Sequence, residues 1–352
     1  VYAFQALKTI SRQQWLHALY VLVSVGVLGM FIYQLTADDS RVMNPWRMYT
    51  FGLFLAVFTP KLLLVLFMLG EDVVRFLVGA WSGLSGGESG FFLPSRRRFV
   101  STLALTVAAV PFSSLLFGMV RGKYNYQVLD YTLEFDDLPD AFDGYTITQI
   151  SDVHSGSFDN REKIKYGIDL INKQQSDLIV FTGDLVNDAA EEMHPWKDLF
   201  AQLEARDGVY SVLGNHDYGV FSWEAQHLNR NRNRMVEYYK KLEWDLLNNE
   251  NRIIKIGSSK LAIIGVENWS KRKFFRFGDI TQATKGTDEC DAKILMTHDP
   301  SHWKEQIVMK YPDIKLTLSG HTHGGQFGFD NKWFRWSPVQ YTQEQWVDLN
   351  QQ

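Results

Sequence analysis

Five short polar stretches in the later part of this chain carry side chains that bind metal ions. They are Asp152-Val-His154, Gly183-Asp184, Gly214-Asn215-His216-Asp217, His298 within Met-Thr-His-Asp-Pro, and Gly320-His321-Thr322-His323-Gly324-Gly325-Gln326. Imidazole suits Zn, Mn and Fe, whereas carboxylate and amide oxygens suit harder ions such as Mn, so a mixed set fits divalent ions of this group. The single cysteine, Cys290, excludes a thiolate cluster. Two such ions about 3.5–4 Å apart can activate water and clamp phosphoryl oxygens during in-line displacement. That chemistry requires a carboxylate shared by both ions. A lone Asp-x-His is usually a turn or a cap, but here five of the nine histidines fall inside five ordered motifs. The other four, His17, His194, His227 and His302, read as ordinary membrane-end or surface residues.

Each motif follows an apolar run, and those runs must place it. Tyr145 to Ile150 leads into Asp152, Leu178 to Phe181 into Asp184, Val209 to Leu213 into Asn215, Ala292 to Met296 into His298, and Ile314 to Leu318 into His321. Short runs rich in β-branched and large apolar residues, closed by glycine or polar residues, read as buried strands. Helical patterns lie between them, near Arg161 to Lys173, Trp196 to Glu204 and Trp303 to Lys310, and Val128 to Phe135 reads as the first strand of this domain. Alternating strand, ligand loop and helix predicts an α/β sandwich with its site beyond the strand ends.

These five blocks resemble the signature of the calcineurin-like metallophosphoesterases, DxH, GD, GNH(D/E), H and GHxH in that order. The resemblance covers roughly residues 125 to 340. It implies a four-layer α/β/β/α sandwich binding two divalent ions, Mn2+ foremost with Fe or Zn as alternatives. Asp152, His154 and His323 would hold the first ion, and Asn215, His298 and His321 the second. Asp184 would bridge both. His216 would bind the phosphate or protonate the leaving oxygen, with Asp217 orienting it. Related domains usually continue past GHxH with further strands, so a longer natural chain is expected. A non-catalytic binding module on the same fold is the alternative; the complete ligand set argues against it.

Residues 1–123 are of another kind. Three apolar stretches, near 16–33, 49–69 and 99–120, each have the length needed to cross a bilayer of roughly 30 Å. An all-α transmembrane region thus precedes the catalytic domain at 124–352, and since the chain opens on Val1-Tyr-Ala-Phe, a preceding helix is expected. Pro60 and Pro111 would kink the second and third helices, which a bundle tolerates. Lys61 lies at mid-span, as a functional partner or as a snorkelling residue. Glu71 to Trp81 reads as an amphipathic interfacial helix or a simple connection, followed by a Ser/Gly-rich linker through Gly90.

Arg96, Arg97 and Arg98 precede the third stretch, against Arg121 and Lys123 after it. By the positive-inside rule this one-charge margin puts the catalytic domain on the extracytoplasmic face of an inner membrane, the cytoplasmic face being the alternative. Ser95-Arg96-Arg97-Arg98-Phe99-Val100 also resembles a twin-arginine export signal. The net charge of −4 gives no electrostatic case for nucleic acid.

Expected partners are the lipid bilayer and a phosphorylated or nucleotide-linked lipid. Basic and aromatic residues interleave in Phe221 to Lys241, with Arg230, Arg232 and Arg234, in Lys271 to Phe277, and in Trp333-Phe-Arg-Trp336. Such stretches could seat a headgroup and acyl chains. Gly-Asn-His-Asp-Tyr and Ser-Gly-His-Thr-His-Gly-Gly-Gln are similar to the membrane-associated bacterial type, some of which cleave UDP-2,3-diacylglucosamine in lipid A biosynthesis. That substrate is cytoplasmic. An exported domain would instead act on another phosphate ester of the cell envelope.

Overall fold

A segment that is apolar on every side is stable as a helix only in apolar surroundings. The computed structural model, which describes residues 1–36, 44–85, 94–219, 225–271, 276–325, 328–330, 333–346 and 349, accordingly makes the first region helical. A short helix α1 (Phe4–Ile10) precedes α2 (Gln14–Thr36), α3 (Pro45–Ser85) and α4 (Pro94–Val120). The last three are each long and apolar enough to cross a membrane. Pro60 and Pro111 lie inside unbroken helices. No separate interfacial helix forms at Glu71 to Trp81, because α3 runs on for 41 residues in all. That is about twice the length a bilayer requires. The expected linker after Ser85 lies outside the described residues.

Helices α2, α3 and α4 run antiparallel to their neighbours. Phe31 stacks on Phe54 at 4.0 Å while Lys61, further along α3, reaches back to the hydroxyl of Ser24 at 2.5 Å. Lys61 also faces the rings of Tyr20 and Phe58 at 4.7 and 4.3 Å. At one end of α4, Arg97 bonds Glu71 at 2.9 Å and Asp72 at 2.5 Å; past its other end, Lys123 meets the Tyr49 hydroxyl at 3.4 Å. Small residues let α1, α3 and α4 pack closely, with Ala3, Ala6, Ala104 and Ala108 against Leu64 and Met68.

The chain divides into two compact units, one within residues 1–127 and the other within 128–352. In the second, strands β1 (Ile147–Ile150), β2 (Leu178–Phe181), β3 (Val209–Ser211) and β4 (Asp245–Leu246) form a parallel sheet in that order. Strands β5 (Glu250–Ile256), β6 (Ser259–Gly265), β7 (Ala292–Met296) and β8 (Leu316–Leu318) form the other, with only the β5–β6 pair antiparallel. Alternation along β2 sends Leu178 and Val180 toward Ile263, Ile294 and Met296 of the facing sheet. The opposite face of the second sheet buries Ala262, Ile264 and Leu295 against Ile280, Ala283 and Ile307.

Helices α5 (Arg161–Asn172), α6 (Lys197–Phe200) and α7 (Ala225–Lys241) accompany the first sheet. Phe181 packs there on Tyr239 and Trp244, whose rings are 6.3 and 5.4 Å away. Helices α8 (Ile280–Ala283) and α9 (Val308–Lys310) accompany the second. The architecture is therefore helix, sheet, sheet, helix, as expected. A small ribbon of β9 (Phe329–Asp330) and β10 (Arg335–Trp336) follows.

Three local expectations change. Val128 to Phe135 forms no strand and is irregular. The helix expected from Trp196 to Glu204 shrinks to four residues. Trp303 to Ile307 winds as a π-turn before α9, where His302 is fully buried and bonds Thr297 and Gln306 rather than lying on the surface. Its ring stacks on Trp269, which no surface histidine in water would need.

Candidate metal centre

All the ligand-type residues follow parallel strands, where the chain leaves the sheet and turns sharply. Those turns cost backbone energy. Asp152, His154, Asp184, His321 and His323 all have left-handed φ, between 47° and 71°. Non-glycine residues in that region are each strained by roughly 1–3 kcal/mol and persist where surroundings impose them. Glycine removes the steric obstacle nearby: Gly183 has φ +100°, and a Cβ on it would come within 2.5 Å of the Gly214 nitrogen and 2.8 Å of the His298 ring.

Hydrogen bonds lock the loops together. The Asp152 amide donates to the Gly183 carbonyl at 2.9 Å and the His154 amide to the Asp184 carbonyl at 3.1 Å. The His321 amide donates to both oxygens of Asp152 at 3.1 and 3.0 Å. His298 Nδ1 bonds the Thr182 carbonyl at 2.8 Å, which fixes its ring and turns Nε2 inward.

Two groups of ligand atoms result, sharing Asp184: Asp152, His154, Asp184 and His323 in one, Asp184, His298 and His321 in the other. Nε2 of His154 and Nε2 of His323 are 3.1 Å apart; Nδ1 of His321 and Nε2 of His298 are 3.2 Å apart. Two nitrogens each about 2.0–2.1 Å from one ion would be separated by about this distance. Asp184 Oδ1 accepts from the His216 amide at 2.8 Å, while its buried Oδ2 faces only ligand-type rings, 3.1 Å from His298 Nε2 and 3.7 Å from His154 Nε2. Oδ1 of Asn215 is buried and unbonded. A buried oxygen without a partner is costly, and this one belongs to a residue expected to bind metal. The donor set and the unbonded Asn215 oxygen fit divalent cations.

Electrostatics point the same way. Burial alone would lower the His298 imidazolium, but the Asp184 carboxylate offsets this and lifts it to about 10. The proton on His298 thus does part of a cation's work. For His154, burial prevails and lowers the ring to about 4, leaving a neutral imidazole ready to coordinate.

His216 sits beside the first group, its ring 4.8 Å from that of His154, and its Nδ1 bonds the Asn187 carbonyl at 2.5 Å. Asp217 has a different place from the one expected. Its buried carboxylate accepts from the amides of Asp184 and Gly214, each at 2.9 Å, and of Leu185 at 2.8 Å. It ties two ligand loops together, and the group that orients the His216 ring is Asn187. The residue was within reach of the motif, three places after the shared aspartate in Gly183-Asp-Leu-Val-Asn187, but a backbone acceptor leaves no mark on side-chain identity.

Of the basic stretches beside the site, several charges are already matched. Arg232 bonds Glu267 and Arg234 bonds Glu191, while Lys271 pairs with Glu305 at 2.7 Å. Arg230 is exposed, and residues 272–275 lie outside the described set. Trp333 is 94% exposed and Phe334 55%. A groove of about 1210 Å³ opens on Asp152, Gly320 and His323 and continues past Phe135, Trp303, Tyr311 and Leu316.

Paired imidazoles around a shared buried carboxylate, at the strand ends of a layered α/β sandwich, define a metal-dependent phosphoester hydrolase. Residues 145–325 match the family described as "Calcineurin-like phosphoesterase", and residues 1–123 match "Probable Calcineurin-like phosphoesterase, transmembrane domain". The chain belongs to the calcineurin-like phosphoesterase family and is a membrane protein. It is 26% identical over 366 residues to a transmembrane protein with metallophosphoesterase domain of Bos taurus, covering 92% of this chain and 79% of that one. Its likeness to the Danio rerio protein of the same description is 26% over 232 residues, 64% of this chain and only 50% of that protein's length. An uncharacterized metallophosphoesterase of Aquifex aeolicus is 30% identical over 222 residues, 62% of this chain and 78% of its own.

Proposed function

We propose that this chain is a two-metal phosphoester hydrolase acting on a lipid-linked phosphate at the extracytoplasmic membrane face. The observation that carries the two-metal reading is the pair of ligand clusters that share the buried Asp184 carboxylate, together with the unbonded Oδ1 of Asn215. Asp152, His154 and His323 would hold one ion, Asn215, His298 and His321 the other, and Asp184 would serve both. When bound, the ions supply Lewis acidity toward the phosphoryl oxygens and lower the pKa of water. Nδ1 of His216 donates a hydrogen bond to the Asn187 carbonyl, so Nε2 is the nitrogen that would carry a proton toward the leaving oxygen.

Charge placement supports the orientation. Among the described residues, the antiparallel pairing groups Lys8, Arg12, Arg75, Arg96, Arg97 and Arg98 at one end of the helices, against Arg47, Arg121 and Lys123 at the other. Carboxylates count little in this rule, so the pairing of Arg97 with Glu71 does not cancel its weight. The catalytic domain follows Lys123 in the chain and belongs to the less basic side. For the lipid, support comes from the membrane region, the exposed Trp333 and Phe334, and the apolar side chains Phe135, Trp303, Ile307 and Leu316 among the lining of the groove leading from Asp152.

The test uses the full chain in detergent, loaded with Mn2+. Metal content and hydrolysis of bis-p-nitrophenyl phosphate, of a phosphatidyl ester and of UDP-2,3-diacylglucosamine are compared. Preference for the phosphatidyl ester is expected. Preference for the UDP-linked lipid, with a reporter fused after Gln352 reading cytoplasmic, would replace this reading by the lipid A one.

A further inference from the structure

We propose that Asp299 is a positioning residue for one of the two ions, holding the His321 ring so that Nδ1 faces His298 and Asp184; this rests on the two-metal reading above. The two nitrogens of His321 look in opposite directions. Nδ1 lies 3.2 Å from His298 Nε2 inside the ligand cluster, and Nε2 lies 3.8 Å from Asp299 Oδ2. An imidazole that coordinates through one nitrogen carries its proton on the other, and the partner of that proton sets ring orientation and basicity.

Asp299 is prepared for this task. It is 1% exposed, its Oδ1 accepts from the Ser301 amide at 2.8 Å, the side chains of Ser270 and Ser301 also bond the carboxylate, and Oδ2 is the oxygen that faces His321. The other freedoms of His321 are already removed, because its amide is held by both oxygens of Asp152 and its φ is 71°. Ring rotation is what remains to be fixed. Behind Asp299 the chain is stiff: His302 bonds Thr297, and its ring stacks on Trp269 at 4.6 Å with the Arg276 guanidinium 4.4 Å from the same indole.

A turn-capping role alone would also explain the Ser301 bond, so the test must separate the two. Asp299→Ser can keep the cap but cannot reach His321; Asp299→Asn keeps the cap and an acceptor while removing the charge. Mn2+ is titrated into the full-length protein, with stoichiometry and stepwise affinity read calorimetrically and thermal stability followed alongside. The wild type should bind two ions. In Asp299→Ser one of the two affinities should fall by about 10–100-fold, the scale for loss of an outer partner of a metal-binding histidine, with the other unchanged. Asp299→Asn should fall in between. Two unchanged affinities in Asp299→Ser, or two that fall together with thermal stability, would overturn the assignment. A wild type that binds one ion or none would instead remove the two-metal reading itself.

Discussion

Both halves of this molecule bury carboxylates, and they treat them in opposite ways. In the membrane unit Glu71 and Asp72 both meet Arg97, and the Tyr2 hydroxyl also bonds Asp72. In the catalytic unit Asp184 is more deeply buried, its Oδ2 faces only the rings of His298 and His154, and the nearby Asn215 Oδ1 bonds nothing. A cluster closed by arginine needs no further ligand. One made of ligand-type side chains, kept in place by strained backbone at five of them, trades stability for cation binding.

The sharpest way to break this contrast is Asp184→Ala. It should abolish binding of both ions and all turnover, because it removes the shared ligand. Calorimetric Mn2+ titration checks this, and two-ion binding by the variant would end the assignment. His216→Ala should retain both ions and slow hydrolysis of bis-p-nitrophenyl phosphate by about a hundredfold or more. Turnover at the wild-type rate would remove His216 from the chemistry.

Arg97→Leu probes the closed cluster. It leaves Glu71 buried beside a more distant Arg75 at 3.8 Å, and loss of one partner of a buried ion pair costs about 3–5 kcal/mol. Denaturation of the membrane unit in detergent should shift accordingly, while the turnover number of folded protein on a soluble diester should hold. Unchanged stability in Arg97→Leu would erase the distinction between the two clusters.

How far the sequence foretold this depended on the kind of signal. The long helices and the strands ahead of the motifs were legible because hydrophobic periodicity and length are local properties. Val128 to Phe135 alternated suitably but pairs with no strand in the structure, and pairing is not encoded in one segment alone. Likewise the residue types of Asp152, His298 and His321 announce coordination, whereas the roles of Asp217, Asn187 and Asp299 depend on which backbone amide or ring faces them after folding. Charge was the most misleading signal. Arg232 and Arg234 looked like a basic surface until Glu267 and Glu191, distant in sequence, arrived to neutralise them.

The smallest effect separates the support of the catalytic site from the site itself. His302 is a buried neutral imidazole, its pKa lowered to about 4 chiefly by burial, with a Gln306 hydrogen bond opposing the shift. In the unfolded chain it titrates near 6.5. The unfolded state therefore takes up a proton first as pH falls, so the stability His302 contributes is full above about pH 6.5 and is lost progressively toward pH 4. The fall from 6.5 to about 4 corresponds to at most about 3 kcal/mol. His302→Gln removes the titration but keeps hydrogen-bonding capacity toward Thr297. Its unfolding free energy should be lower than the wild type's at pH 7.5 and nearer to it at pH 5, with neutral-pH turnover changed by less than in the His216 variant. If the two proteins lose stability in parallel between pH 6.5 and 4.5, the acid sensitivity belongs to the ligand histidines, and the ligand cluster rather than its packed support is the part that fails in acid.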